Sequence, residues 1–170
     1  MPAQNKTYKT KIMKKFLVVA MMAFGLAVNA QETELNVGGT IGLPSGDLNS
    51  DLYDVSGAIE ANYLFNVAEG FKVGPSVSYL HINGDGPDLG YLPLAAAARY
   101  DVSEKFVVGA DLGYGIGVYQ DGQESGFYYR PVVGYKVTEK ITIQADYKGI
   151  SVDGANVATF GLGGVYSFSL

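Results

Sequence analysis

Apolar residues alternate with small or polar ones along residues 106–118, FVVGADLGYGIGV. One parity reads Phe106, Val108, Ala110, Leu112, Tyr114, Ile116 and Val118; the other reads Val107, Gly109, Asp111, Gly113, Gly115 and Gly117. Successive side chains of a strand point to opposite faces, so this period of two predicts a strand and excludes helical spacing. The same alternation runs through 57–65, 127–137, 141–148 and 160–170. Eight strands are predicted, near 34–43, 55–66, 71–82, 91–102, 106–119, 127–137, 141–152 and 157–170. Their connections alternate in length. Residues 67–70, 103–105 and 138–140 are tight, whereas 45–54, 83–90, 120–126 and 153–156 read as mostly longer and carry Asp, Asn, Gly and Pro. RYDVSEKF (99–106), GYKVTEKI (134–141) and the looser LFNVAEGF (64–71) place Glu69, Glu104 and Glu139 at steps of 35. Such a step equals two strands, one turn and one loop. The repeated motif therefore predicts the short turn that closes every second hairpin at one end of a sheet.

Eight antiparallel strands can close into a barrel, which removes the unpaired edges of an open sheet. A soluble barrel would turn its apolar face inwards, and a membrane barrel would turn it out to lipid. Side-chain volume decides between them. An eight-stranded barrel has an interior just wide enough to be filled by side chains. The apolar face carries Phe, Tyr, Leu and Ile on nearly every strand, too bulky a set for that lumen. The other face is rich in Gly, Ala and Ser, leaving room for a few long residues: Glu60, Tyr128, Arg130 and Lys148. The expected fold is an all-β, closed, eight-stranded, antiparallel up-and-down transmembrane barrel. Strand lengths fit the 9–11 tilted residues, approximately, that a β-span needs. Phe65, Phe71, Tyr100, Phe106 and Tyr135 border the short turns, and Tyr79, Tyr119, Phe127 and Tyr129 lie nearer the long loops. Two interfacial aromatic girdles follow. Pro75, Pro93 and Pro131 fall inside predicted strands. Each deletes a ladder donor, so local bulges are expected there.

The first 30 residues differ. They hold Lys6, Lys9, Lys11, Lys14 and Lys15, no acid, then FLVVAMMAFGLA (16–27) and Val28-Asn29-Ala30. A basic start, a short apolar run and small residues before the cut read as a secretory signal, residues 1–30, cleaved after Ala30. A spanning helix would need about 20 apolar residues. Met13-Lys14-Lys15-Phe16 reads as a more natural start than Met1, which makes residues 1–12 an extension. The barrel is then residues 31–170, with seven Lys and Arg against 17 acids, a net charge of −10. Nucleic acid is excluded as a partner, since binding it takes clustered cations. The absence of cysteine excludes disulfides, thiolate metal sites and a cysteine nucleophile.

The whole of 31–170 resembles the small eight-stranded outer-membrane β-barrel proteins of Gram-negative bacteria, the OmpA/OmpX-like barrels. It is most similar to the short outer membrane β-barrel domain proteins of Bacteroidota. FKVGPSVSY (71–79), LAAAARYDVSEKF (94–106), GADLGYGIG (109–117), GGVYSFSL (163–170) and VNA before Gln31 carry the resemblance. It implies location in the cell outer membrane, both termini and the short turns in the periplasm, and the long loops outside. It also implies two partners, outer-membrane lipid and the barrel-assembly machinery. The latter would read Tyr166, Phe168 and Leu170 as a C-terminal assembly signal, in which Leu170 replaces the family's usual Phe.

Counted from the turn glutamates, Glu60 and Arg130 lie nine residues before theirs, Asp111 and Asp146 seven after, and Lys148 nine after. Parity and height predict a lumenal network of Glu60, Arg130, Lys148, Asp111 and Asp146, with Arg99 lower down. A buried charge left alone is costly, so such groups must pair. A structural plug is the expected role, and a narrow porin-like channel is the alternative. An outer-membrane lipid-modifying enzyme is a third class, and it would need His, Ser and an acid within mutual reach. His81 is the sole histidine, and Ser76 and Ser78 have the opposite parity. GYGIG (113–117) lies within a strand and precedes no helix, which argues against a phosphate loop. Asp47, Asn49 and Asp51 resemble the start of a calcium loop, but Leu52 and Ala58 stand where its Gly and Glu belong. No catalytic residue, cofactor or metal is expected. The reading is a non-enzymatic barrel with a packed polar interior and a structural or surface-interaction role. Loops 45–54, 83–90 and 120–126 would meet extracellular ligands.

Overall fold

The computed structural model describes residues 32–48 and 51–170. The expected signal at 1–30 and Asn49 of the acidic loop lie outside these residues. The described residues form eight strands: β1 (Thr33–Gly46), β2 (Val55–Ala68), β3 (Phe71–Asn83), β4 (Leu89–Asp101), β5 (Phe106–Gly117), β6 (Gly126–Lys136), β7 (Ile141–Val152) and β8 (Ala155–Ser169). Each pairs antiparallel with its neighbour in sequence, and β1 pairs with β8 from Glu34↔Ser169 to Gly46↔Val157, closing the barrel. No sheet edge is left, which lets every strand be wetted by lipid without an unpaired ladder.

Alternation sets the faces. Ile41 and Ile59 point outwards at 74% and 67% exposure, and Leu43, Leu112, Tyr114, Phe160 and Leu162 join them on the outer surface. Asp111, Arg130 and Lys148, from the opposite parity, are buried in the lumen. Apolar surface this extensive on a single chain marks contact with a nonaqueous phase.

The short turns explain the 35-residue repeat. Ser103 Oγ accepts from the amides of Lys105 and Phe106, and Val102 N–H donates to the Phe106 carbonyl. Thirty-five residues on, Thr138 Oγ1 accepts from Lys140 and Ile141, and Val137 N–H donates to Ile141. A Ser or Thr hydroxyl thus satisfies the turn amides in both copies. The looser copy has Ala68 at this position. Its turn instead uses Gly70 at φ +68°, with a register shift between Asn66 and Ala68.

Two expectations need correction. The β7–β8 connection is a two-residue turn, Asp153-Gly154, with φ of +46° and +85°. Positive φ at both positions is the type I′ geometry for which Asp-Gly is suited, so 153–156 is no long loop. The prolines also do not bulge the sheet. Pairing lapses beside each, between Asn62↔Ser76 and Phe65↔Val73 at Pro75, between Val77↔Leu94 and Leu80↔Tyr91 at Pro93, and between Tyr129↔Gly149 and Val132↔Asp146 at Pro131. Register resumes unchanged past every gap. A missing donor costs a local ladder bond, and the pairs on either side hold the strands in step.

Candidate functional site: a stratified lumen

The lumen is built in layers, because each strand contributes one inward residue per two positions and the register aligns them. The middle layer is ionic. Arg130 on β6 is fully buried, and its guanidinium meets three carboxylates. Nε and Nη2 lie 2.8 and 2.6 Å from Asp146 Oδ2, Nη1 lies 3.1 Å from Asp111 Oδ2, and Nη1 also pairs with Glu60 Oε2. Asp111 takes a second cation, Arg99 Nη1 at 2.5 Å. Asp146 takes Lys148 Nζ at 2.6 Å, and Lys148 also donates to Thr40 Oγ1 at 2.7 Å. Gln144 Nε2 donates to Glu60. The structure therefore joins Glu60, Arg99, Asp111, Arg130, Asp146 and Lys148 in one network of three cations and three carboxylates. Fixed charge cancels there, as a low-dielectric interior requires. Glycine makes the space. A Cβ on Gly161 would stand 2.6 Å from Asp146 Oδ1 and 3.3 Å from Lys148 Nζ.

Towards the long loops the lumen is apolar. Leu80, Ile82, Tyr91, Tyr128 and Ile150 are buried together, with Leu48, Tyr53, Leu89, Val152 and Val157 packed against them. The expected packed polar interior is thus corrected in part: its loop half is apolar. Tyr128 and Ile150 fall one inward step beyond Arg130 and Lys148, so their parity places them inside.

Towards the short turns the lumen is polar and open. Asn36 Nδ2 donates to Asn62 Oδ1 at 2.9 Å, and Ser167 Oγ donates to Asn36 Oδ1 at 2.5 Å. This amide layer lines a cavity of about 570 Å³, together with Arg99, Gln144 and Thr142 among others. Two half-buried ion pairs flank its mouth, Lys72–Glu34 at 2.7 Å and Lys136–Asp101 at 2.6 Å.

The outer wall carries the remaining candidates. Tyr166 and Phe168 project from β8 to the exterior, and Leu170, just past its end, is exposed as well. His81 sits near the loop end of β3, with Nδ1 3.0 Å from the Tyr79 hydroxyl, Nε2 3.4 Å from Asp88 Oδ2 and Tyr119 edge-on at 4.9 Å. Ser76 and Ser78 are buried on the lumenal side, away from it. Asp47 accepts from the Asn156 amide at 2.7 Å, which ties the acidic loop to β8. Among the described residues no group of three or more His, Asp or Glu is placed to hold a metal.

Charge separates along the barrel axis. Residues 47–54, 84–88, 118–125 and 153–154 carry eight carboxylates and no Lys or Arg. In 118–125 the Glu124 carboxyl is raised above its ordinary range, first by a hydrogen bond with Asp153 and then by that group's charge.

A closed strand barrel with an apolar exterior and an ion-paired core is what an outer-membrane span requires, and the model of the outer membrane protein β-barrel domain family matches residues 16–168. The chain belongs to that family. Its location is the outer membrane. Among solved structures it is similar to the attachment invasion locus protein Ail of Yersinia pestis, at 18% identity and a TM-score of 0.58, covering 81% of this chain and 98% of Ail. A de novo designed transmembrane β-barrel gives 16% identity, 79% and 95% coverage and a TM-score of 0.56. Neisserial surface protein A gives 20%, 81% and 97%, and 0.52. At these identities the likeness is one of fold. No curated protein matches.

Proposed function

We propose that the protein is a plugged, non-enzymatic outer-membrane barrel that anchors an acidic loop rim at the cell surface. The observation that carries this is Arg130, fully buried and held by Glu60, Asp111 and Asp146 across the barrel section. The apolar cluster above it is a second closure. In the proposed orientation, both chain ends and the short turns face the periplasm. Outer-membrane lipid contacts the apolar wall, the barrel-assembly machinery receives Tyr166, Phe168 and Leu170, and loops 45–54, 83–90 and 120–126 meet external partners. The electrostatics of the rim favour cationic partners. Ail has been crystallised with the heparin analogue sucrose octasulfate. The eight carboxylates here disfavour such a polyanion, so the purified barrel should pass through a heparin column at low salt. Salt-sensitive retention would count against the rim's proposed role.

A narrow channel is the second reading, favoured by the cavity of about 570 Å³ that runs in from the short turns as far as Arg99 and Gln144. Conduction would require Arg130 and the apolar plug to move together. Planar-bilayer recording tests this: a silent bilayer supports the plug, and steady ohmic openings overturn it. Lipid modification is not supported by the geometry around His81, whose ring contacts among the described residues are Tyr79, Asp88 and Tyr119.

A further inference from the structure

The lumen is asymmetric in a way that a simple plug does not require. On the turn side, polar space of about 570 Å³ reaches inwards to Arg99 and Gln144. Those two residues bond directly to Asp111 and Glu60 of the ionic layer. On the loop side, Leu80, Ile82, Tyr91, Tyr128 and Ile150 are each at most 3% exposed. A polar cavity with several partners per water stays hydrated, whereas an apolar, close-packed cluster stays dry.

We infer that the lumen is a blind well. Water and small polar solutes enter from the turn end, reach the ionic layer, and go no further. The well takes neutral or zwitterionic solutes rather than ions of one sign, because its lining holds four Lys or Arg and four carboxylates. The Lys72–Glu34 and Lys136–Asp101 pairs set opposite charges side by side at the mouth. A solute with both signs of charge can meet both partners of such a pair, while a simple anion or cation gains from one and is repelled by the other. That this open end faces the periplasm rests on the proposed orientation.

The cysteine-free chain permits a direct test. Asn62→Cys and Thr142→Cys place single thiols in the well, and Asp121→Cys places one on a loop. Folded protein, verified by heat-modifiable gel migration, is reconstituted in vesicles and exposed to small membrane-impermeant methanethiosulfonates from one side at a time. Both well thiols should react from the side opposite to the one that labels Asp121→Cys, and remain unlabelled from the loop side. Adding Leu80→Ala should leave the well thiols closed to loop-side reagent, because Arg130 and its three carboxylates still span the section between them. Cationic and anionic reagents should react at rates within about tenfold, the lower end of what a cavity of single-sign charge produces by focusing. Labelling of the well thiols from both sides, or from neither, overturns the blind well, and a larger rate ratio overturns the zwitterionic preference. Labelling of Asp121→Cys on intact cells addresses orientation separately. Its failure there would refute the periplasmic placement and leave the sidedness of the well standing.

Discussion

Replacing Arg130 by Met tests the central claim, that the ionic layer is a mutually compensating unit. Met keeps the length and apolar stem of the side chain but donates no hydrogen bond. Glu60, Asp111 and Asp146 would then face two cations, Arg99 and Lys148, with an uncompensated negative charge in a section shut off from bulk water. Removing one member of a buried ion pair costs about 3–5 kcal/mol. The upper half of that range applies here, because Arg130 serves three carboxylates at once. The assay is urea titration of the barrel in phospholipid vesicles, reading the folded fraction from gel migration. At a slope of about 2 kcal/mol per molar urea, the midpoint should fall by about 2 M. A second substitution makes the reasoning sharper. Glu60→Gln keeps a carbonyl to accept from Gln144 and removes one carboxylate. In the Arg130→Met background it restores two cations against two carboxylates, so the double variant should lose less than the sum of the singles, by about 0.5–3 kcal/mol. A loss below about 1 kcal/mol for Arg130→Met, or strict additivity in the pair, would refute the claim that the layer acts as one charge-balanced unit.

Gly74→Ala places a Cβ 1.8 Å from the Tyr63 carbonyl oxygen, a backbone clash that no rotamer relieves; refolding yield should collapse, and normal yield would disprove the close approach. Pro131→Ala returns a backbone donor to the lapsed β6–β7 pairing and should raise stability by about 0.5–1.5 kcal/mol in the same urea assay. Glu124 binds protons more tightly in the folded protein than in the unfolded chain, so its contribution is present at low pH and lost as pH rises through and above the ordinary carboxylate range. Hydrogen exchange at the 118–125 and 153–154 amides should therefore quicken from pH 4 to 7 beyond the intrinsic rate change, and Glu124→Gln should abolish that excess.

Much of this architecture is written in a period of two, which is why the strands and the outward band follow from the residues alone. Parity assigns Asp111 and Arg130 to the inside, and the turn-to-turn step of 35 assigns their height, because turns and register together fix how far each residue lies from the barrel end. What parity cannot supply is which inward apolar residues meet across the lumen. Tyr128 and Ile150 sit among polar inward residues in sequence, and their joining with Leu80, Ile82 and Tyr91 depends on the stagger of four strands. The sidedness of the lumen comes from the same stagger, and so could be seen only once β2, β3, β4, β6 and β7 were set beside one another. Local chemistry is read well where one side chain decides it, as with the Ser103 and Thr138 turns. It is read badly where the sheet decides. Pro75, Pro93 and Pro131 each argue locally for a bulge, yet seven or more conventional pairs in each affected ladder outweigh one absent N–H. The charge pattern obeys the same division. The −10 of residues 31–170 is a sum that gives no direction, but once the topology gathers Asp47, Asp88, Asp121, Glu124 and Asp153 at one end and balances the lumen, it becomes a field of negative potential concentrated at the loop rim. That field, acting on whatever approaches the loops, is the property of this barrel that a change of loop sequence would alter first and a change of strand sequence would leave intact.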